Sequence, residues 1–224
     1  MKPIRLRVSG KYACFTRPEL KYERMTYDVI TGSAARGVLE SIYLHPGVFW
    51  RVNKIYIEKP IKYVSFMRNE LKEKVSCGKI FDVTQGKMGL DELYTDRIDD
   101  IAQRVTTCLS DVQYVIEANF EIEPGSMSHD IYDDKVFAIF TQRAQKGKCF
   151  RQPYLGCKEF AANFKLLSND EMPEPLDINR DLGIMHYEMA YMFDKYKNKE
   201  YTSVYKHVKI ENGVVDYTKG DEFV

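Results

Sequence analysis

From Lys135 to Arg151 the chain carries five cations, Lys135, Arg143, Lys146, Lys148 and Arg151, and no acidic residue. The segment passes through an apolar helical face and ends in a basic loop punctuated by Gly147. The whole chain is formally neutral, 33 Lys+Arg against 33 Asp+Glu, so this excess is segregation rather than average composition. Immediately upstream, residues 91–134 hold twelve acidic side chains against Arg97 and Arg104. A neutral protein with one sharp basic focus suits a polyanion gripped at a single place. A solvated helix face followed by a loop accounts for the same charges about as well.

Further candidates lie outside that segment. Arg5 and Arg7 project from the face opposite Ile4 and Leu6, where they could touch nucleic acid across a sheet. Arg36 stands near a helix start and suits either a phosphate or an acidic neighbour. Tyr43 recurs at helical spacing with Val38, Leu39 and Ile42, the pattern of an edge-of-core tyrosine with a wet hydroxyl. The four histidines are scattered at 45, 129, 186 and 207, and the five cysteines never form CxxC. No metal-ligand set or cofactor motif is visible, and the thiols read as reduced core filler.

The elements that must position these residues follow from periodicity. Residues 4–8 alternate as a half-buried strand. Thr31 or Ser33 caps a helix running to about Leu44, with Ala35, Val38, Leu39, Ile42 and Tyr43 on one face. Val48–Glu58 and Ile61–Phe66 read as strands. Residues 68–109 are polar and weakly periodic, an insertion with a helix near its end. Residues 112–122 alternate cleanly as a strand. Asp133 or Asp134 caps a second helix that turns Val136, Phe137, Phe140 and Ala144 inward and closes at Gly147. Residues 154–167 are extended.

In order this is β-α-β-β-(insertion)-β-α-β, an α+β ferredoxin-like arrangement shared by RNA-recognition domains, expected over 1–169. A Pro-containing linker over 170–181 precedes strands only, with a hairpin turn at Asn212-Gly213, so 170–224 is expected to form a small three-stranded antiparallel sheet. Hydrophobic content of 44% argues against disorder. No run approaches the roughly 18 apolar residues of a membrane span, and the N-terminus lacks an apolar signal core. The expectation is a cytoplasmic protein without membrane contact.

YDVITGSAARGVLESIYLHP (27–46), FMRNE (66–70), LSDVQYVIEANFEI (109–122), QRAQKGKCFRQPYLGCKEF (142–160) and DLGIM (181–185) resemble the CRISPR-associated Cas five family, subtype I-C (Dvulg type). The likeness spans nearly the whole chain in the family's order. It implies a metal-independent endoribonuclease that cuts the CRISPR repeat transcript at the base of its hairpin. It also implies retention in the type I-C interference complex, holding the 5′ handle of the guide RNA. The implied partners are repeat RNA, the other subunits of that complex and duplex DNA.

The resemblance places a catalytic tyrosine at Tyr43 and a catalytic lysine at Lys135. The family's adjacent histidine falls at Val136, a departure, and its usual proline falls at Gly32. In such a reaction a 2′-hydroxyl attacks the neighbouring phosphorus, so a positioned cation stabilises the charged transition state. Lys135 would supply it, Tyr43 would orient or donate to the reacting oxygens, and Arg143, Lys146, Lys148 and Arg151 would hold phosphates. His129 and His45, the histidines nearest Lys135 and Tyr43 in sequence, read as solvated loop residues. A non-catalytic RNA-binding scaffold is the alternative that Val136 keeps open.

Overall fold

The computed structural model describes residues 3–20, 22–72, 76–90, 101–122, 132–168, 170–193, 199–219 and 222–223. His129 lies outside them. Ile4, Leu6 and Val8 are buried while Arg5, Arg7 and Ser9 stay partly exposed, which makes residues Ile4–Ala13 the half-buried strand β1. Thr31 starts helix α1 (Gly32–Ile42) by accepting the Ala34 N–H at 3.2 Å through its hydroxyl. The helix buries Ala35, Val38, Leu39 and Ile42. At its first residue, a Cβ on Gly32 would stand 2.6 Å from the Tyr187 ring and 2.9 Å from the Tyr187 carbonyl oxygen. Glycine fits this close approach.

Strand β2 is Val48–Ile57, β3 is Tyr63–Leu71, helix α2 is Cys77–Thr84 and β4 is Ile101–Ile122. The sequence led us to expect a helix near the end of 68–109. Instead residues 101–109 are strand, paired with β3 from Tyr63↔Leu109 to Leu71↔Ile101, and the helix lies earlier, at 77–84. Backbone pairing between β3 and β4, rather than an apolar face, sets this structure: no β3 residue is buried. Helix α3 spans Asp133–Gln145. Neither expected aspartate caps it; Tyr132 occupies the cap position, and Asp133 and Asp134 sit in the first turn, where negative charge suits the helix dipole. Val136, Phe140 and Ala144 point inward as expected, but Phe137 is 37% exposed because it lies one step round the helix from the Val136–Phe140–Ala144 stripe.

The remaining strands are β5 (Asn163–Leu166), β6 (Arg180–Phe193), β7 (Lys199–Glu211), β8 (Val214–Asp216) and β9 (Glu222–Phe223). Asn212 and Gly213 turn between β7 and β8 with φ of 51° and 73°, the paired positive values of a two-residue hairpin. The protein is mixed α/β: three helices and a mostly antiparallel sheet ordered β5-β1-β4-β2-β8-β7-β6 among the described residues. β3 extends from β4, and β9 pairs with β7. The C-terminal strands join the rest through β8, which pairs with β2. α1 and α3 pack on this sheet. Their meeting point is Trp50, 1% exposed, whose ring lies 4.6 Å from Phe140 and 5.5 Å from Phe120.

Candidate functional site

Every α-helix ends with carbonyls that lack intrahelical partners. At the end of α1 those partners come from α3 and the basic loop after it. Arg143 donates a guanidinium N–H to the Ile42 carbonyl at 3.1 Å. The backbone N–H groups of Phe150 and Arg151 both donate to the Ser41 carbonyl, at 2.8 and 3.0 Å. Trp50 donates its indole N–H to the Tyr43 carbonyl at 3.2 Å. The end of α1 is thus fastened to the core on one side and to the basic loop on the other.

This fastening brings Tyr43 against two partners. The Arg143 guanidinium lies over the Tyr43 ring, 5.3 Å from its centroid. The His45 imidazole stacks beside it at 6.3 Å and 27°. Tyr43 is 6% exposed, and burial raises its phenol above the ordinary value, only partly offset by Arg143. The hydroxyl is therefore a neutral donor at physiological pH. His45 Nδ1 lies 2.7 Å from the Pro46 carbonyl. A carbonyl only accepts, so Nδ1 carries the proton and, in the neutral ring, Nε2 keeps a lone pair for proton transfer.

Lys146, Lys148 and Arg151 are exposed on the loop after α3, and Arg151 also lies over the exposed Phe150 ring at 5.7 Å. Glu40, one turn back on α1, pairs with Arg36 at 3.3 Å and also feels Arg151. Burial outweighs both arginines and raises its carboxyl above the usual range. Lys135 is half-buried in the first turn of α3. It stands eight residues from Arg143, about 12 Å along the helix axis. By helical spacing it shares a face with Gln142 and Lys146.

The structure does not bring all the sequence candidates together. Arg143 lies on Tyr43 and the Arg151 backbone is held by Ser41, while Lys135 stands two turns of α3 from Arg143. Arg5 is paired with Glu117 at 2.8 Å, and Arg7 with Glu58 and Glu171, both at 2.8 Å. Arg36 is held by Glu40 and, at 2.9 Å, by Glu188. These three arginines have their charge balanced within the fold. Val136 is fully buried in the core. Among the described residues, no three His, Cys, Asp or Glu side chains gather as a metal-holding group, and no helix is long and apolar enough to cross a membrane.

Sequence reasoning did not anticipate the stacking of His45 beside Tyr43 or the raised carboxyl of Glu40. Position relative to Tyr43 was the available signal: two residues on for His45, one helical turn back for Glu40.

Residues 4–217 match the family described as CRISPR-associated protein (Cas_Cas5), in its Cas5d form. The chain is 42% identical over 219 residues to the CRISPR pre-crRNA endoribonuclease Cas5d of Mannheimia succiniciproducens, covering 95% of this chain and 93% of that protein. It is 33% identical over 194 residues to the Thermus thermophilus protein of the same name, covering 87% and 76%. A solved structure titled a CRISPR-associated protein superposes with a TM-score of 0.68 at 23% identity, over 100% of this chain and 97% of that one. A chain of a CRISPR RNA-guided surveillance complex superposes at 0.52 and 12% identity, over 90% and 86%, a likeness of fold.

Proposed function

Since the chain belongs to the CRISPR-associated Cas5 family, we propose that it is a pre-crRNA endoribonuclease. It cuts the repeat transcript at the base of its hairpin without a metal and then remains as the 5′-handle-binding subunit of a type I-C interference complex. The name shared by the two relatives supports the activity. The observation that carries it to particular residues is the contact of Tyr43 with both Arg143 and His45, at the edge of a basic loop docked on the end of α1.

In this reading Lys146, Lys148 and Arg151 hold the phosphates flanking the cut. The substrate's 2′-hydroxyl loses its proton to His45 Nε2, and its oxygen attacks the adjacent phosphorus. The bond from phosphorus to the 5′-oxygen breaks, and that oxygen takes up a proton from water. The products are a 2′,3′-cyclic phosphate and a 5′-hydroxyl. Arg143 and Lys135 offset the charge that builds on the phosphoryl oxygens, and the Tyr43 hydroxyl donates to one of them. His45 fills the proton-transfer role that valine at position 136 cannot.

We further read the core as ferredoxin-like, supported by the order β5-β1-β4-β2 with antiparallel neighbours. Residues 1–169 form the RNA-processing unit with its insertion, and 170–224 a small sheet appended to it. Arg5, Arg7 and Arg36 serve RNA binding only if their carboxylate partners yield them. A non-catalytic RNA-binding scaffold is the competing reading, favoured by one observation, the core burial of Val136.

Purified protein incubated with its own locus's repeat RNA in excess chelator separates the two. Specific 5′-hydroxyl products, lost when the nucleotide 5′ to the cut is 2′-deoxy and reduced in His45→Ala, support the enzyme. Tight binding without cutting supports the scaffold. Cutting that needs Mg²⁺, or that tolerates the deoxy substitution, overturns the mechanism.

A further inference from the structure

A cavity of about 420 Å³ runs beside α1. Its floor is the helix itself at Ser33, Ala34, Gly37 and Ser41, positions one turn apart. Its walls are aromatic: Tyr27, Tyr154, Tyr205 and the His186 imidazole. Among the described residues, no Lys, Arg, Asp or Glu lines it. That composition suits neither a phosphate, which needs cations, nor a metal ion, which needs carboxylates or thiolates.

The polar groups are placed for a planar, uncharged ligand. His186 Nδ1 lies 3.0 Å from the Ser33 hydroxyl, which lies 3.1 Å from the Thr31 hydroxyl. The His186 ring meets Tyr205 edge-on at 5.5 Å, and the His186 backbone hydrogen-bonds the Tyr27 hydroxyl. Burial, then the nearby Arg36, lowers the affinity of His186 for a proton, so its imidazole is neutral at pH 7, with Nδ1 engaged by Ser33 and Nε2 left as a single donor or acceptor according to the tautomer.

Gly37 gives an independent indication. Glycine inside a helix is less favourable than alanine by roughly 0.5–1 kcal/mol, so its presence calls for a cause. Gly37 has no positive φ, and a Cβ there would meet no atom within 4 Å. Neither a turn nor protein packing requires it. What it keeps is bare backbone on the cavity floor, the arrangement that allows a ligand to approach a helix closely.

Ser41, which lines the cavity, also carries the carbonyl that accepts the N–H groups of Phe150 and Arg151, so the cavity and the basic loop meet the same residue of α1.

We propose that this cavity receives one unstacked nucleobase of the RNA whose phosphates lie on the basic loop. The base lies over Gly37 against the tyrosines, and Ser33 and His186 meet its hydrogen-bonding edge. The proposal rests on the RNA-binding reading above and adds a subsite to it.

The test uses the full chain and a fluorescent repeat oligoribonucleotide made uncleavable by a 2′-deoxy substitution at the cut. Each nucleotide is made abasic in turn, and affinity is measured across a salt titration with wild type and Gly37→Leu. The wild type should lose roughly 5- to 150-fold at one abasic position, the range for a base stacked on aromatic side chains, and under about twofold elsewhere. Gly37→Leu should bind the intact RNA correspondingly more weakly and be indifferent to that abasic position, with its salt slope unchanged. Melting temperatures of Gly37→Ala and Gly37→Leu at or above wild type establish that the helix is intact. Equal tolerance of every abasic position, or a Gly37→Leu protein still sensitive to the critical one, overturns the subsite and leaves RNA binding standing. Absence of salt-dependent RNA binding by the wild type overturns the functional reading itself.

Discussion

Arg143→Ala removes a side chain that touches both the end of α1 and the Tyr43 ring. The lost hydrogen bond leaves the Ile42 carbonyl without its charged donor, worth about 1.5–3 kcal/mol. The lost contact with the half-screened Tyr43 ring adds about 0.5–1 kcal/mol. The two share one guanidinium and are not independent, so a combined loss of about 2–3 kcal/mol is expected. For a chain of this length that lowers the melting temperature by roughly 4–12 °C. Arg143→Lys retains the charge but not the planar fork and should fall between. In RNA binding, Arg143→Ala should flatten the slope of log K against log salt by about 0.7, one single-stranded phosphate contact. Cleavage under saturating RNA should slow by at least about tenfold, because the cation nearest Tyr43 is gone. Calorimetry, a salt titration and a single-turnover assay measure the three separately. A melting temperature within a degree of wild type together with an unchanged slope would refute both the fastening role and the phosphate contact.

Lys135→Ala should reduce single-turnover cleavage at least about tenfold with little change in binding of an uncleavable repeat; Tyr43→Phe, which keeps the ring over Arg143, should do the same more mildly at unchanged stability. Wild-type cleavage by Lys135→Ala would remove Lys135 from the catalytic set. His186 binds its proton less readily in the folded protein than in the unfolded chain, so the unfolded state takes up more protons as pH falls below about 6.5. Stability should drop through that window and level off once the folded imidazole is also protonated, and His186→Gln should flatten the drop in denaturant titrations. Gly32→Ala should lose at least about 1 kcal/mol by denaturant titration despite the better helix propensity of alanine, because the new Cβ meets the Tyr187 ring and carbonyl. Gly32→Ala combined with Tyr187→Ala should recover only part of that, since the carbonyl remains.

Local chemistry determined much of this protein. The Thr31 cap, the apolar stripe of α1, the alternation of β1 and the second half of β4, and the Asn212-Gly213 turn are each settled by residues within a few positions of one another, so periodicity and capping reveal them. The segregation of five cations after Lys135 is equally a property of sequence, and so is the resemblance carried by 27–46 and 142–160. Tertiary structure alone decided what those cations do. Arg5, Arg7 and Arg36 look like Arg143 in sequence, yet β4, the β2–β3 connection and β6 bring Glu117, Glu58 and Glu188 to them, from 51 to 152 residues away. Arg143 instead meets a helix end and an aromatic face. The extension of β4 over 101–109 was likewise hidden, because its stabilising partner is the backbone of β3, about 40 residues earlier, and no residue of β3 is buried. Burial follows the same rule: Val136 and Phe137 are adjacent and both apolar, and only the packing of α3 against Trp50 makes one of them core and leaves the other at the surface. Partners distant in the chain set charge balance, proton affinity and access to solvent, and no window of sequence contains those partners.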